Sequence, residues 1–201
     1  MNHRANTTRR RAIRTTLALA FVLLAGAGGS SCTCQSPVPE VEPVTIYVVR
    51  HAEKQAMSAD ASEAEKKDPP LARIGQLRAL GLADDLPLTE LDAVYLTDFA
   101  RSRQTASAVL AVTGIEPIIY PPGDTAGLVA RLRKRAGDQV LVVGHSNTIP
   151  PLLQQLGVVE PVTIDELQYG DLWVVTLPTE GPAKLEVRRY GEQPPRPDSP
   201  R

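Results

Sequence analysis

Between residues 44 and 190 the chain alternates short apolar runs with longer stretches in which apolar residues recur every three or four positions. The runs VTIYVV (44–49), LDAVYLT (91–97), EPIIY (116–120) and QVLVVG (139–144) are short and mostly rich in β-branched residues, which predicts buried strands. The stretches PLARIGQLRALGLADDL (70–86), RSRQTASAVLAV (101–112) and TAGLVARLRKRA (125–136), with a shorter one after Asn147, predict helices. Alternation of this kind predicts an α/β fold, a three-layer sandwich with a mostly parallel central sheet flanked by helices. Two later runs, DLWVVTL (171–177) and KLEVRRY (184–190), are joined by PTEGPA, a linker suited to a hairpin, so the sheet is expected to be mixed.

The 201-residue length and 42% hydrophobic content suit one compact domain, expected over residues 44–190. Residues 1–31 read differently. Five arginines precede the apolar run LALAFVLLAGAG and small residues follow it, the layout of a bacterial export signal. The run is about a dozen residues, short of the roughly 20 that a spanning helix needs. GSSC at Gly29–Cys32 is similar to the lipobox of bacterial lipoproteins, with Gly29 where Leu is usual. Two outcomes stay open: a lipid anchor on Cys32, or ordinary cleavage that leaves Cys32 and Cys34 as tail thiols. TRRRAIR also faintly resembles a twin-arginine signal. Residues 32–43 form a Pro-rich, acidic linker, and residues 191–201 a Pro-rich tail expected to be disordered.

Charge narrows the partners. The whole chain carries −1, but 22 basic residues less the five signal arginines, against 23 acids, leaves −6 for an exported form. A nucleic-acid binder keeps a basic face, and this chain discards its basic end, so no nucleic-acid partner is expected. The expected location is outside the cytoplasm, periplasmic or membrane-anchored, with contact to a membrane only through Cys32. Both cysteines lie in the junction, so the domain has no disulfide and no thiol nucleophile.

The candidate chemistry sits at strand ends. In such folds ligands bind beyond the carboxyl ends of the parallel strands. IYVVRHAEK (46–54) runs a strand into Arg50 and His51, and QVLVVGHSNT (139–148) runs another into His145. These are the domain's only histidines. In TDFARSRQTA (97–106) a strand ends at Thr97 and Arg101 opens a helix, where a cation opposes the helix dipole unless an anion is bound. Arg103 turns to another face and is expected to be solvated. Two guanidiniums able to grip phosphate oxygens through paired N–H groups, with two imidazoles in one crevice, point to phosphoryl transfer.

These residues resemble the histidine phosphatase superfamily, also called phosphoglycerate mutase-like, over about residues 44–177. RHA at 50–52 is similar to the RHG signature, with Ala52 for Gly. TDFARSRQTA resembles the arginine motif, VLVVGHSNT the segment of the second histidine, and PPLARIGQLRA the PLT-x-x-G-x-x-QA stretch. The resemblance implies a metal-independent phosphatase, without cofactor, in which His51 becomes phosphorylated. Arg50, Arg101 and His145 then cradle the phosphoryl group, and neighbouring positive charge keeps His51 unprotonated. It implies a small phosphorylated substrate or a phosphoprotein. Asp124 is either the proton donor to the leaving group or the N-cap of the next helix. Glu53 is a further carboxylate near the site, or one that orders the loop beside Lys54. Ser146 is expected to add a hydrogen bond to substrate or to cap the next helix, and capping is the better expectation for Asn147. Ala52 would be strained if its position needs a positive φ. The loop 55–70 is expected to overhang the crevice, with Lys66 and Lys67 favouring an anionic substrate or merely solvated.

Other readings divide on specific features. GHSNT lacks the second glycine of a G-x-S-x-G elbow, and no histidine follows Ser146, which argues against a serine hydrolase. A non-catalytic phospho-ligand-binding lipoprotein has no need of His51. A phosphomutase needs added segments over the site, and this compact domain has little to spare.

Overall fold

The computed structural model describes residues 42–191. The expected export signal, Cys32, most of the linker and all of the expected tail but Gly191 lie outside the described residues. In chain order the elements are β1 (Val44–Arg50), α1 (Glu63–Lys67), α2 (Arg73–Asp85), β2 (Leu91–Leu96), α3 (Ala100–Thr113), β3 (Ile118–Ile119), α4 (Thr125–Leu132), β4 (Gln139–Gly144), α5 (Ile149–Leu156), β5 (Asp171–Leu177) and β6 (Lys184–Arg189). They build the mixed α/β sandwich that the alternation predicts. The six strands lie in the order β3-β2-β4-β1-β5-β6. The β1–β4, β2–β4 and β2–β3 pairs are parallel, whereas β5 runs antiparallel to β1, and β6 to β5.

Side chains alternate across the sheet and fill two cores. Ile46 and Val48 point to one face with Leu128 and Leu132 of α4 and Leu152 and Leu153 of α5. Tyr47 and Val49 point to the other with Leu82 of α2 and Val109 of α3. Full burial of each such aliphatic side chain contributes about 1.5–3 kcal/mol over exposure, and both faces of the central strands must therefore stay covered. Among the described residues no helix is long and apolar enough to cross a membrane.

Register places the site. β1 pairs with β4 so that Arg50 lies opposite Gly144. The two strands end level, and the residues that follow, His51 and His145, emerge side by side. β2 pairs with β4 through Leu96 and Val143, which brings Thr97 to the same rim.

Several boundaries differ from expectation for local reasons. The helix expected from residue 70 begins at Arg73, because Leu71 pairs instead with Lys54 in an isolated antiparallel bridge. The strand expected over 116–120 is two residues at the sheet edge, following Pro117. The helix expected to 136 stops at Leu132, and Arg135 pairs with Asp138 in the turn that leads to β4. The loop 55–70 contains the five-residue α1, closed by a capping box between Ser62 and Glu65.

Candidate active site

The β1 corner is tethered by backbone. His51 N–H donates to the Gly144 carbonyl at 2.9 Å, and His51 Nδ1 lies 2.8 Å from the Ala52 carbonyl oxygen. A carbonyl only accepts, so Nδ1 carries the proton and Nε2 keeps its lone pair. Ala52 is fully buried, and its N–H donates to Thr105 Oγ1 at 2.9 Å. Thr105 O–H donates in turn to the Arg101 carbonyl at 2.7 Å, which links this corner to α3. Among the described residues every non-glycine φ is negative, so Ala52 meets none of the strain that its replacement of glycine suggested.

The loop after His51 is sewn to the start of α2. Ala72 N–H donates to the Glu53 carbonyl and Gln55 N–H to the Pro70 carbonyl, both at 2.8 Å. A Cβ at Gly75 would stand 2.3 Å from the Glu53 carbonyl oxygen, so only glycine lets α2 approach this closely. Glu53 faces Arg78 through several contacts, the shortest at 2.6 Å, and Arg78 is 1% exposed. Glu53 thus orders the loop, with Arg78 rather than Lys54 as its partner.

Arg50 and Arg101 divide their duties unequally. Arg50 Nη1 is committed to the carbonyls of Asp165, Glu166 and Gln168, each at 2.9 Å. Its guanidinium stacks 4.1 Å from the centre of the Tyr169 ring, and Nη2 donates to Tyr169 Oη at 3.3 Å. Its Nε is buried and has no hydrogen-bond partner among the described residues. A buried N–H left unpaired is costly, and a ligand oxygen would satisfy it. Arg101 stacks 4.1 Å from the Phe99 ring and meets Asp68 Oδ1 at 3.3 Å. The same Asp68 carboxylate accepts from Ala100 N–H at 2.9 and 3.0 Å. Asp68 therefore supplies the anion that the start of α3 requires, a place that the sequence reading gave to a ligand. Arg103 pairs with Asp98 on the exposed side.

The β4 corner is tethered by side chains. His145 Nε2 lies 2.8 Å from Thr97 Oγ1, which lies 2.8 Å from Ser102 Oγ. His145 N–H donates to Thr148 Oγ1 at 2.9 Å. Thr148, not Asn147, is the N-cap residue of α5, and Asn147 is exposed at the cavity rim. Ser146 is half-buried in the same turn.

The two imidazoles meet edge to face, with ring centres 5.1 Å apart. Burial pushes His51 down to about 3, with His145, Arg101 and Arg50 adding to the shift and the Ala52 carbonyl opposing it. Burial likewise pushes His145 down to about 4, helped by Arg101 and Arg50. Desolvation, more than the neighbouring positive charge, keeps both rings neutral. Beside His145 opens a cavity of about 330 Å³ lined by Phe99, Arg101, Pro122, Gly123, His145, Asn147 and Thr148, and neither His51 nor Arg50 is in that lining.

Asp124 stands just past this lining as the N-cap of α4. Its Oδ1 accepts from Gly127 N–H at 3.0 Å, and its Oδ2 pairs with Arg131 at 2.9 Å. Lys66 pairs with Glu63 on the exposed α1. Among the described residues no three His, Cys, Asp or Glu side chains converge to hold a metal ion.

The sequence reading missed Asp68, Ser102 and Tyr169, and assigned no task to Thr97, Gln104 or Thr105. Gln104 and Thr105 lie inside the quoted RSRQTA stretch and tie Leu71 N–H and Ala52 N–H to α3. Asp68 and Tyr169 sit in loops whose composition carries no such signal.

Parallel strands that end level at two buried imidazoles, with two guanidiniums at the same corner, define an α/β fold of the phosphoglycerate mutase-like type. Residues 46–122 match the model of the histidine phosphatase superfamily (branch 1). That span takes in Arg50, His51 and Arg101 and ends before His145. No curated protein matches the chain. Among solved structures, the protein histidine phosphatase SixA complexed with tungstate is 21% identical, with a TM-score of 0.56 over 72% of this chain and 96% of its own. A putative alpha-ribazole-5'-P phosphatase from Escherichia coli is 18% identical, with a TM-score of 0.56 over 74% and 96%. Phosphoglycerate mutase from Plasmodium falciparum is 16% identical, with a TM-score of 0.51 over 79% and 98%. At these identities the likeness is one of fold.

Proposed function

We propose that the protein is a phosphatase of the histidine phosphatase superfamily, hydrolysing phosphomonoesters or phosphohistidine through a covalent phosphohistidine on His51. The observation that carries this reading is the tether of His51 Nδ1 to the Ala52 carbonyl at 2.8 Å, which leaves a neutral ring with its Nε2 lone pair available.

The Nε2 lone pair attacks phosphorus, and the phosphorus–oxygen bond of the ester breaks with its electrons passing to the leaving oxygen. That oxygen takes up a proton. Water then attacks phosphorus and the phosphorus–nitrogen bond breaks, which releases phosphate and restores the imidazole. The unpaired Nε–H of Arg50, the guanidinium of Arg101 and the ring of His145 hold the phosphoryl oxygens as charge shifts among them. Arg101 exchanges part of its contact with Asp68 for the substrate. Ser146, at the turn beside His145, is a further donor to the substrate.

Asp124 enters only as a proton donor from the rim, and both its oxygens already accept bonds, as suits a cap. Asp124→Asn separates the roles. A donor's loss slows esters with poor leaving groups and spares good ones, whereas a cap's loss affects both alike.

A panel of phosphoesters, tested with and without a chelator, compares wild type with His51→Ala. Phosphate release by wild type alone supports the phosphatase, and ligand binding without release by either favours the non-catalytic binder. For the segment before the domain we propose export and a lipid anchor on Cys32, supported by the arginine-flanked apolar run and GSSC. Labelled palmitate entering wild type but not Cys32→Ser is the expected result.

A further inference from the structure

We infer that Thr97 and Ser102 form a hydroxyl relay that fixes His145 in the tautomer with its proton on Nδ1, facing the cavity as a donor. Both hydroxyls lie within the span that matches the family model, and the sequence reading assigned neither a task. The inference rests on the phosphatase reading only for what the donated proton is used for.

The geometry is a buried line of three polar atoms. His145 Nε2 and Thr97 Oγ1 are 2.8 Å apart, as are Thr97 Oγ1 and Ser102 Oγ. Thr97 and Ser102 are fully buried, and water does not reach them to supply a missing partner. The ring is held from its other sides by the Phe99 ring, whose centre lies 5.3 Å away, and by the His51 ring.

Donation can run along this line in either direction, or Thr97 can accept from both neighbours, which would leave its own buried O–H without an acceptor. If Nε2 carried the proton, Thr97 would accept from it and donate to Ser102. The Ser102 O–H would then be left without an acceptor, since Ser102 Oγ meets only Thr97 among the described residues. A buried hydroxyl without a partner is penalised. In the reverse direction Ser102 donates to Thr97, Thr97 donates to the Nε2 lone pair, and every proton in the line is used. His145 is neutral because burial pushes it down to about 4, so it carries a single N–H, which this direction places on Nδ1. His145 lines the cavity, and Nδ1 is the ring nitrogen not engaged by the relay.

The two histidines are therefore opposite tautomers. His51 spends its Nδ1–H on a carbonyl and offers a lone pair, whereas His145 spends its lone pair on a hydroxyl and offers an N–H. Thr97 and Ser102 are positioning residues, acting on the substrate through His145.

Nitrogen-15 NMR of the ligand-free full chain at neutral pH tests the relay. Wild type is expected to show His145 with a protonated Nδ1 and an unprotonated Nε2. Thr97→Val is expected to shift His145 toward the Nε2-protonated form while His51 keeps its own tautomer, which serves as the check on folding. Thr97→Ser should restore the wild-type spectrum. In turnover, Thr97→Val should lower kcat about three- to tenfold, the worth of one net hydrogen bond, with little change in KM. An Nε2-protonated His145 in wild type overturns the relay, as does a tautomer that Thr97→Val leaves unchanged. The spectra are read without substrate. Failure of phosphate release with the expected spectrum would sink the phosphatase reading and leave the relay standing.

Discussion

The β1 and β4 corners share one pattern, an apolar strand running into a histidine, yet they hold their rings by different means. His51 is tied through its own chain, Nδ1 to the carbonyl of the next residue, and no side-chain substitution nearby removes that acceptor. His145 is tied through the hydroxyls of Thr97 and Ser102, which belong to β2's end and to α3. The lesson is that one tautomer is written into the backbone turn and the other into replaceable side chains. A nucleophile gains from the first arrangement, because its geometry survives sequence change. A donor set by the second can be tuned.

The largest effect should separate the two corners directly. His51→Ala is expected to remove turnover by about 10⁴-fold or more, the loss typical of a nucleophile. His145→Ala should cost on the order of 10²–10³-fold, as for one donor to a developing charge. Steady-state kinetics on one substrate decides it, and equal losses would erase the distinction between the corners.

Stability sharpens the contrast next. The β1 corner leans on Glu53, whose partner Arg78 is almost wholly buried. Glu53→Ala leaves that buried guanidinium without its carboxylate, with only the Tyr190 carbonyl as acceptor among the described residues, and should destabilise the fold by about 3–5 kcal/mol. Urea unfolding measures it, and a loss under about 1 kcal/mol would show the pair to be solvated.

pH gives the smallest effect. Both rings have their pKa lowered in the fold, to about 3 and about 4, from 6.5. The unfolded chain therefore takes up protons first, and stability declines as pH falls below about 6.5, by at most about 1.4 kcal/mol per pH unit for each ring. Urea midpoints at pH 7, 6 and 5 should fall in that order, and with a shallower slope in His145→Asn. Ring NMR signals that titrate near 6.5 would contradict the burial of either corner.

Much of this was legible in the sequence, and the reasons are physical. Strand runs such as VTIYVV and DLWVVTL match β1 and β5 because both faces of those strands are covered, so apolar residues dominate them without alternating with polar ones. Arg50, His51 and His145 were readable because parallel strands that end level bring their following residues together. Nothing in the apolar pattern of residues 55–70 predicts α1, which buries no residue and whose signal is a Ser62–Glu65 box without an apolar face. Asp68 escaped because it caps α3 from 32 positions away, a pairing that no local pattern encodes. The commitment of Arg50 to three carbonyls around residue 166 is a tertiary contact of the same kind. The sequence shows the charges near His51 but not the main cause of its lowered pKa, burial, which depends on the depth of the corner beneath the loops.

The central claim, transfer through His51 Nε2, is tested most directly by the stereochemical course at phosphorus, using a chiral, isotopically labelled phosphoester and an alcohol as acceptor. Two successive in-line displacements predict retention of configuration. Inversion would mean a single direct displacement and would contradict a phosphorylated His51.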